Sequence, residues 1–357
     1  MKKINISVIG DGGWGTTLAI HLAKKKFSVN PSTSLRVDPE RSLRHGGGGV
    51  ERVKLWGPFP DYVRQVKEER YNSKFLPGVL IPQNVVLTDD LKDVLTDCDL
   101  IVFAVPSKYA YDVIRSLKAT KINLSKKIFL NVTKGIDPKS FLRVSQIVQK
   151  EFPKTSYAVL SGPNIAREVA VGVPSTAVVA SKQSAIANAI QQVFNSHTFR
   201  IYTNTDVVGV ELGGSLKNII ALACGVCDGL GFGTNTKSAI LTRGLAEMAR
   251  LGKALGAKPN TFCGLSGLGD LITTSFNVQS RNRSLGEQLG KGQSLTQILA
   301  ATEMAVEGVE TVKAAHQLAK KHRVSMPITQ EVYQILYKNK PPAQAVLDLM
   351  NREVTAE

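Results

Sequence analysis

Up to about Thr205, short apolar runs alternate with segments of helical spacing. Ile4–Ile9, Leu100–Val105, Ile128–Val132, Tyr157–Leu160 and Thr176–Ala180 read as strands, and the rhythm predicts βα units around a parallel sheet. Several of these runs end in small or polar residues: Gly10-Asp11-Gly12, Ala104-Val105-Pro106-Ser107, Thr133-Lys134-Gly135 and Ser161-Gly162-Pro163-Asn164. Open parallel sheets bind ligands beyond the carboxyl ends of their strands, so the four loops are expected to face one cleft. Beyond Thr205 the spacing becomes almost continuously helical, over Leu216–Cys227, Ala239–Leu255, Ser284–Gly290 and Val309–Arg323, with Gly or Pro between. Cys263–Asp270, rich in glycine, is expected to interrupt the helices as a tight loop. The expected architecture is α/β: a doubly wound, Rossmann-type parallel-sheet domain over residues 1–204, then an all-helical substrate domain over 205–357. No internal repeat is present.

One segment breaks the rhythm. Residues 30–53 hold two prolines and four consecutive glycines, and removing them would join Phe27-Ser28-Val29 to Lys54-Leu55-Trp56 as one second strand. This stretch reads as an inserted, solvent-facing loop, with a lid over a ligand as the alternative.

Length and charge narrow the classes. A chain of 357 residues accommodates two domains. Its 45 Lys+Arg against 29 Asp+Glu leave a net charge of +16, which favours anionic partners unless it is simply a lysine-rich solvated surface. Nucleic acid is disfavoured, because the basic residues are scattered and no nucleic-acid-binding signature accompanies them. The apolar start breaks at Gly10, too early for a signal peptide, and reads as a first strand. Ile219–Cys227, the most apolar later stretch, is about half the length that crosses a bilayer. Four cysteines do not make a disulfide scaffold and suit a reducing cytoplasm. Cys224 and Cys227 form a C-x-x-C inside an apolar helical stretch, where buried thiols are expected rather than a redox pair.

The chemistry starts at Gly10-Asp11-Gly12-Gly13-Trp14-Gly15, a G-x-G-x-x-G that follows a strand and opens a helix. Gly10 makes the turn, Gly12 lets the backbone approach a diphosphate, and Gly15 packs helix on strand, which is a dinucleotide-binding signature. Free N–H groups at the helix start then hold the diphosphate. After the second strand comes Gly57-Pro58-Phe59, neither acid nor base, so the choice between NAD and NADP stays open. Asp38 and Glu40 lie in the inserted stretch and are read as decoys. Lys217 sits in Leu216–Ala223, a segment apolar enough to be buried on most sides. Burial lowers an ammonium's pKa towards a useful range, so Lys217 is the candidate proton donor to a carbonyl receiving hydride. The alternative is a lysine whose amine reaches solvent at a helix start. Lys134, at a strand end, is a second cation to polarise substrate, or a surface lysine. Asp270 orients Lys217, holds a substrate hydroxyl, or caps a helix. Ser280, Arg281 and Asn282 together suit a phosphate, since a guanidinium fork and helix N–H groups bind its oxygens; a basic capped helix start is the plain alternative.

Taken in order, GDGGWGTTLA (10–19), LWG (55–57), FLPG (75–78), VPS (105–107), TKG (133–135), SGPNIAREVA (161–170), GGSLKNIIA (213–221), GLSGLGDL (264–271), QSRNR (279–283) and VEG (306–308) resemble the bacterial-type NAD(P)-dependent glycerol-3-phosphate dehydrogenases. The resemblance spans nearly the whole chain outside residues 30–53. It implies reversible conversion of dihydroxyacetone phosphate and sn-glycerol 3-phosphate with NAD or NADP, feeding phospholipid synthesis, and it is compatible with a homodimer. By the same resemblance Lys217 is the proton-transferring lysine, and Lys134 contacts substrate and cofactor. Gly162, Asn164, Asp270, Ser280, Arg281 and Asn282 fall at substrate positions. Gly13, Trp14, Ala166, Ala305 and Glu307 fall at cofactor positions, and Arg281 also reaches cofactor. Two residues depart from the pattern: Asn164 replaces a usual Ser or Thr, and Pro58 stands where a basic residue is common. The rivals are a related two-domain dehydrogenase acting on a β-hydroxy acid and a dinucleotide-binding sensor disabled by the insertion.

Overall fold

The computed structural model describes residues 4–24, 50–301 and 306–354. The chain divides into two units, Met1–Thr133 with Arg143–Val207 and Lys134–Leu142 with Val208–Glu357. The principal division thus falls a few residues after the expected 204, and the short segment carrying Lys134 groups with the second unit.

In the first unit, β1 (Ile4–Ile9), β2 (Val50–Trp56), β3 (Val85–Thr88), β4 (Leu100–Phe103), β5 (Ile128–Asn131), β6 (Ser156–Ser161), β7 (Ser175–Ala180) and β8 (Phe199–Asn204) form one sheet in the order β3-β2-β1-β4-β5-β6-β7-β8. The pairings are parallel except β6 with β7, so the sheet is mostly rather than wholly parallel. Among the described residues, seven helices connect or flank the strands: α1 (Gly13–Ala23), α2 (Pro60–Glu69), α3 (Leu91–Leu95), α4 (Ser107–Ala119), α5 (Val144–Glu151), α6 (Ala166–Val171) and α7 (Ser184–Phe194). Helix α4 shows why such segments cover a sheet: Ala110, Ile114 and Leu117 form one buried stripe at helical spacing, with charged residues opposite. The core joins Ile6 and Val8 of β1, Leu18 and Leu22 of α1, Leu55, Val102 and Leu130.

Two strands went unread in the sequence. Along β3 and β8 buried and exposed positions alternate, whereas every residue of β4 and β5 is buried. Strands buried on both faces read as solid apolar runs and half-exposed ones do not. The inserted stretch also needs a correction at its end. Val50–Val53 belong to β2, which pairs with β1 from Ile4 opposite Val50; the expectation for residues 30–49 and for Phe27–Val29 lies outside the described residues.

The second unit contains α8 (Val207–Gly229), α9 (Thr234–Ala254), α10 (Asp270–Phe276), α11 (Arg281–Gly290), α12 (Leu295–Ala300), α13 (Glu307–His322), α14 (Pro327–Lys338) and α15 (Pro342–Met350). Cys263–Asp270 is not a tight loop. A 3-10 turn over Pro259–Cys263 leads into a wide π turn over Leu265–Gly269, and Asp270 opens α10. The glycines permit close approach here: a Cβ on Gly267 would lie 2.0 Å from the Phe262 carbonyl oxygen, and one on Gly213 of α8 2.7 Å from that of Ser266.

Helix α8 has 23 residues, long and apolar enough to cross a bilayer, so the estimate of half that length was too short. It is buried along nearly its whole length, as expected of a helix apolar on all sides at the centre of a fold. It crosses α11 at backbone contact. A Cβ on Gly225 would sit 2.0 Å from the Arg283 carbonyl oxygen, and one on Gly286 2.1 Å from that of Leu222. Gly229 and Gly290 meet one turn further along.

Candidate functional site

The glycine loop of the first unit has the shape expected of a diphosphate cradle. Gly10 holds φ +113°, a left-handed conformation that disfavours side chains, with Ala104 packed against it. Gly15 packs so closely that a Cβ would lie 1.9 Å from the Gly10 carbonyl oxygen. Above Gly12, by contrast, no described residue lies within 4 Å of where a Cβ would point. The helix N-terminus is therefore approachable at the position where a diphosphate needs bare backbone. A Cβ on Gly13 would meet the Phe75 carbonyl oxygen at 2.5 Å, and Ala166 lies beyond it. The Trp14 ring stands edge-on to Phe199, and its buried Nε1 has no hydrogen-bond partner among the described residues. An open cradle beside an unsatisfied buried donor fits a dinucleotide.

After β6, Gly162 takes φ +150° against the Ala177 backbone. Asn164 donates from Nδ2 to the Thr176 carbonyl at 2.8 Å, while its buried Oδ1 has no partner among the described residues.

The second unit gathers the charged candidates. Lys217, on buried α8, donates to Asp270 Oδ1 at 2.6 Å and to Thr274 Oγ1 at 2.5 Å. Lys134 Nζ lies 2.6 Å from the other Asp270 oxygen, so one carboxylate that is 1% exposed bridges two ammonium groups. Burial lowers the Lys217 pKa from 10.5 to about 8; the Asp270 charge opposes that fall and the Lys134 charge adds to it. Of the readings open for these residues, Lys217 is the buried amine, and Asp270 is an ion-pair partner inside the first turn of α10, not a cap.

Glu307 opens α13. Burial raises its carboxyl pKa, while the charges of Arg281, Lys217 and Lys134 pull it down. Ser280 is the N-cap of α11, its hydroxyl accepting from the Arg283 N–H at 3.3 Å, and Arg281 follows at that helix start. Both ends of the Asn282 amide are engaged: Nδ2 donates to Asn218 Oδ1 and Oδ1 accepts from the Gly308 N–H, each at 2.9 Å. These bonds tie α8, α11 and α13 together beside Lys217. Ala305 lies outside the described residues.

Sequence reasoning missed Thr274 and Asn218. Each had a legible signal, since Thr274 is one helical turn from Asp270 and Asn218 adjoins Lys217. Cys224 and Cys227 are buried free thiols, burial pushing their pKa values up to about 12 and about 11, so they are not poised for redox exchange.

A doubly wound sheet bearing an open glycine cradle, followed by a helical unit with a buried, acidified lysine, defines the two-domain nicotinamide-dependent dehydrogenases. Within that class, the N-terminus of NAD-dependent glycerol-3-phosphate dehydrogenase matches residues 5–187, and its C-terminus matches residues 206–347. The chain belongs to the NAD-dependent glycerol-3-phosphate dehydrogenase family. It is 43% identical over 357 residues to the glycerol-3-phosphate dehydrogenase (NAD(P)+) of Citrifermentans bemidjiense, covering 99% of this chain and 98% of that one. The enzyme of the same description from Geobacillus thermodenitrificans is 46% identical over 352 residues, covering 98% and 95%. The crystal structure of glycerol-3-phosphate dehydrogenase from Coxiella burnetii superimposes with a TM-score of 0.88 at 36% identity, covering 98% of this chain and 99% of that one.

Proposed function

We propose that the protein interconverts dihydroxyacetone phosphate and sn-glycerol 3-phosphate, supplying the glycerol phosphate of phospholipid synthesis. The observation carrying this reading is Lys217, buried, sharing Asp270 with Lys134 and titrating at about 8, in a chain of this family. Gly10, Gly12, Gly13, Trp14, Gly15 and Ala166 would hold the dinucleotide, with Lys134, Arg281 and Glu307 as its further contacts. When bound, that group would supply the hydride for the ketone carbon. Lys217 then gives a proton from Nζ to the developing alkoxide, so the carbonyl becomes an alcohol and Lys217 a neutral amine. In the reverse direction the amine takes the proton back.

Asp270 keeps enough positive character on Lys217 for it to be protonated near neutrality, and Thr274 fixes its direction. Lys134 faces the substrate oxygens as a second cation. Arg281, at the start of α11, binds the phosphate, where a guanidinium fork and backbone N–H groups can meet several oxygens. Gly162, Asn164, Ser280 and Asn282 complete the substrate contacts, Asn282 also holding α13 in place. The same reading puts the enzyme in the cytoplasm with a small phosphorylated metabolite, not nucleic acid, as its partner.

The test is loss of reduced-nicotinamide absorbance when dihydroxyacetone phosphate is added, compared with β-keto acids in the same assay. Lys217→Met should lower kcat by about 10²–10⁴-fold, the range for a positioned acid. Turnover of a keto acid but not of the phosphate ester would overturn the proposal.

A further inference from the structure

In doubly wound dinucleotide-binding domains, the group beyond the second strand decides between a ribose hydroxyl and a ribose phosphate. Here the residues that follow β2, Gly57-Pro58-Phe59, bring no charge. The charge comes from the glycine loop. A Cβ built on Gly57 would lie 2.1 Å from Oδ2 and 2.6 Å from Cγ of Asp11, so the Asp11 carboxylate fills the space a side chain at 57 would take.

That position is fixed from several sides. The Asp11 carbonyl accepts from Asn72 Nδ2 at 2.6 Å and from Thr16 Oγ1 at 3.0 Å. Asn72 Oδ1 in turn accepts from the Tyr62 hydroxyl at 2.7 Å. On the other side, the Gly57 N–H donates to the Thr88 carbonyl at 3.2 Å and the Gly10 N–H to the Trp56 carbonyl at 3.0 Å. Burial pushes the Asp11 carboxyl up to about 6, so it remains ionised at neutral pH although only partly exposed. Among the described residues, Lys54 of β2 bonds Asp93, and Arg64 of α2 is turned towards Asp61.

We propose that Asp11 reads the adenosine ribose, accepting the 2′-hydroxyl of NAD(H) and repelling the 2′-phosphate of NADP(H), and so makes the enzyme prefer NAD. The proposal rests on the glycine loop holding a dinucleotide, not on the identity of the substrate. A carboxylate lent by the turn before the helix does the work usually done by one at the end of β2, and Gly57 is small to admit it.

The test is equilibrium titration of the full chain with NADH and NADPH by nicotinamide fluorescence, with competition by 5′-ADP and 2′,5′-ADP. The native chain should bind NADH at least about tenfold more tightly, the size of one charge-assisted hydrogen bond, and should discriminate likewise against 2′,5′-ADP. Asp11→Asn and Asp11→Ser should each reduce that preference by about tenfold, mainly by tightening NADPH. Equal affinities in the native chain would overturn the proposal without any variant. So would variants that weaken both cofactors equally, which makes Asp11 structural, or tighten both equally, which makes it an opponent of the diphosphate. Binding needs no turnover, so an error about the substrate would leave this result intact.

Discussion

Replacing Asp270 with Asn isolates the electrostatic control of Lys217. Both ammonium groups lie 2.6 Å from this carboxylate, and its charge is the principal influence holding the Lys217 pKa up against burial. Titrating at about 8, roughly three quarters of Lys217 is protonated near pH 7.5. An opposite charge at such range moves a titration by about 1–3 pH units, and its loss also leaves the Lys134 repulsion unbalanced. The midpoint should then fall to about 5–7, leaving between about a quarter and about 0.3% of the acid form near pH 7.5. The reduction rate there should drop about 3- to 200-fold, and much of it should return as the pH is lowered. Initial rates of reduced-nicotinamide oxidation at saturating dihydroxyacetone phosphate, from pH 5 to 9.5, read this directly. In native enzyme the reduction should decline as pH rises through about 8, and glycerol phosphate oxidation should increase over the same interval, because one direction consumes the ammonium and the other the amine. A variant that is slower by a constant factor, with its alkaline limb still near 8, would refute the electrostatic role and leave Asp270 a structural residue.

Arg281→Ala should raise KM for dihydroxyacetone phosphate by about 10- to 150-fold, the equivalent of about 1.5–3 kcal/mol, with the unfolding midpoint in urea nearly unchanged; an unaltered KM would remove Arg281 from phosphate binding. Gly286→Ala places a methyl 2.1 Å from a backbone oxygen, and it should lower stability by about 1–3 kcal/mol in urea denaturation. Wild-type stability in that variant would mean that α8 and α11 have room to separate. Alkylation of the native protein should label Cys263, the exposed thiol, well before Cys98, Cys224 and Cys227, whose burial raises their pKa values. Peptide mapping that found Cys224 or Cys227 labelled first would contradict their placement.

What the sequence disclosed followed the strength of each local signal. Strands β1 and β4–β7 were readable because they are apolar runs, and the glycine fingerprint stood out because strand and helix flank it. The half-exposed strands β3 and β8 carried only alternation over a few residues. The turn at Cys263–Asp270 was misread because glycine marks both loose loops and tight contacts, and only the neighbouring backbone tells them apart. Lys217 was conspicuous as a charge in an apolar helix. Its sharing of Asp270 with Lys134 was not, since the three residues are distant in the chain and no periodicity links them. Asp11 escaped notice for a related reason: the carboxylate expected at the end of β2 arrives from a different turn.

The four glycines where α8 and α11 cross have a consequence for how this enzyme can diverge. With main chain resting on main chain, the spacing between the helix that carries Lys217 and the helix that begins with Arg281 behaves as a fixed ruler, set by atoms every residue shares. No gradual enlargement of side chains can widen it without first breaking the crossing. New substrate preferences are therefore expected to arise by exchange of side chains at the helix ends and turns, while the gauge between these two helices stays the same.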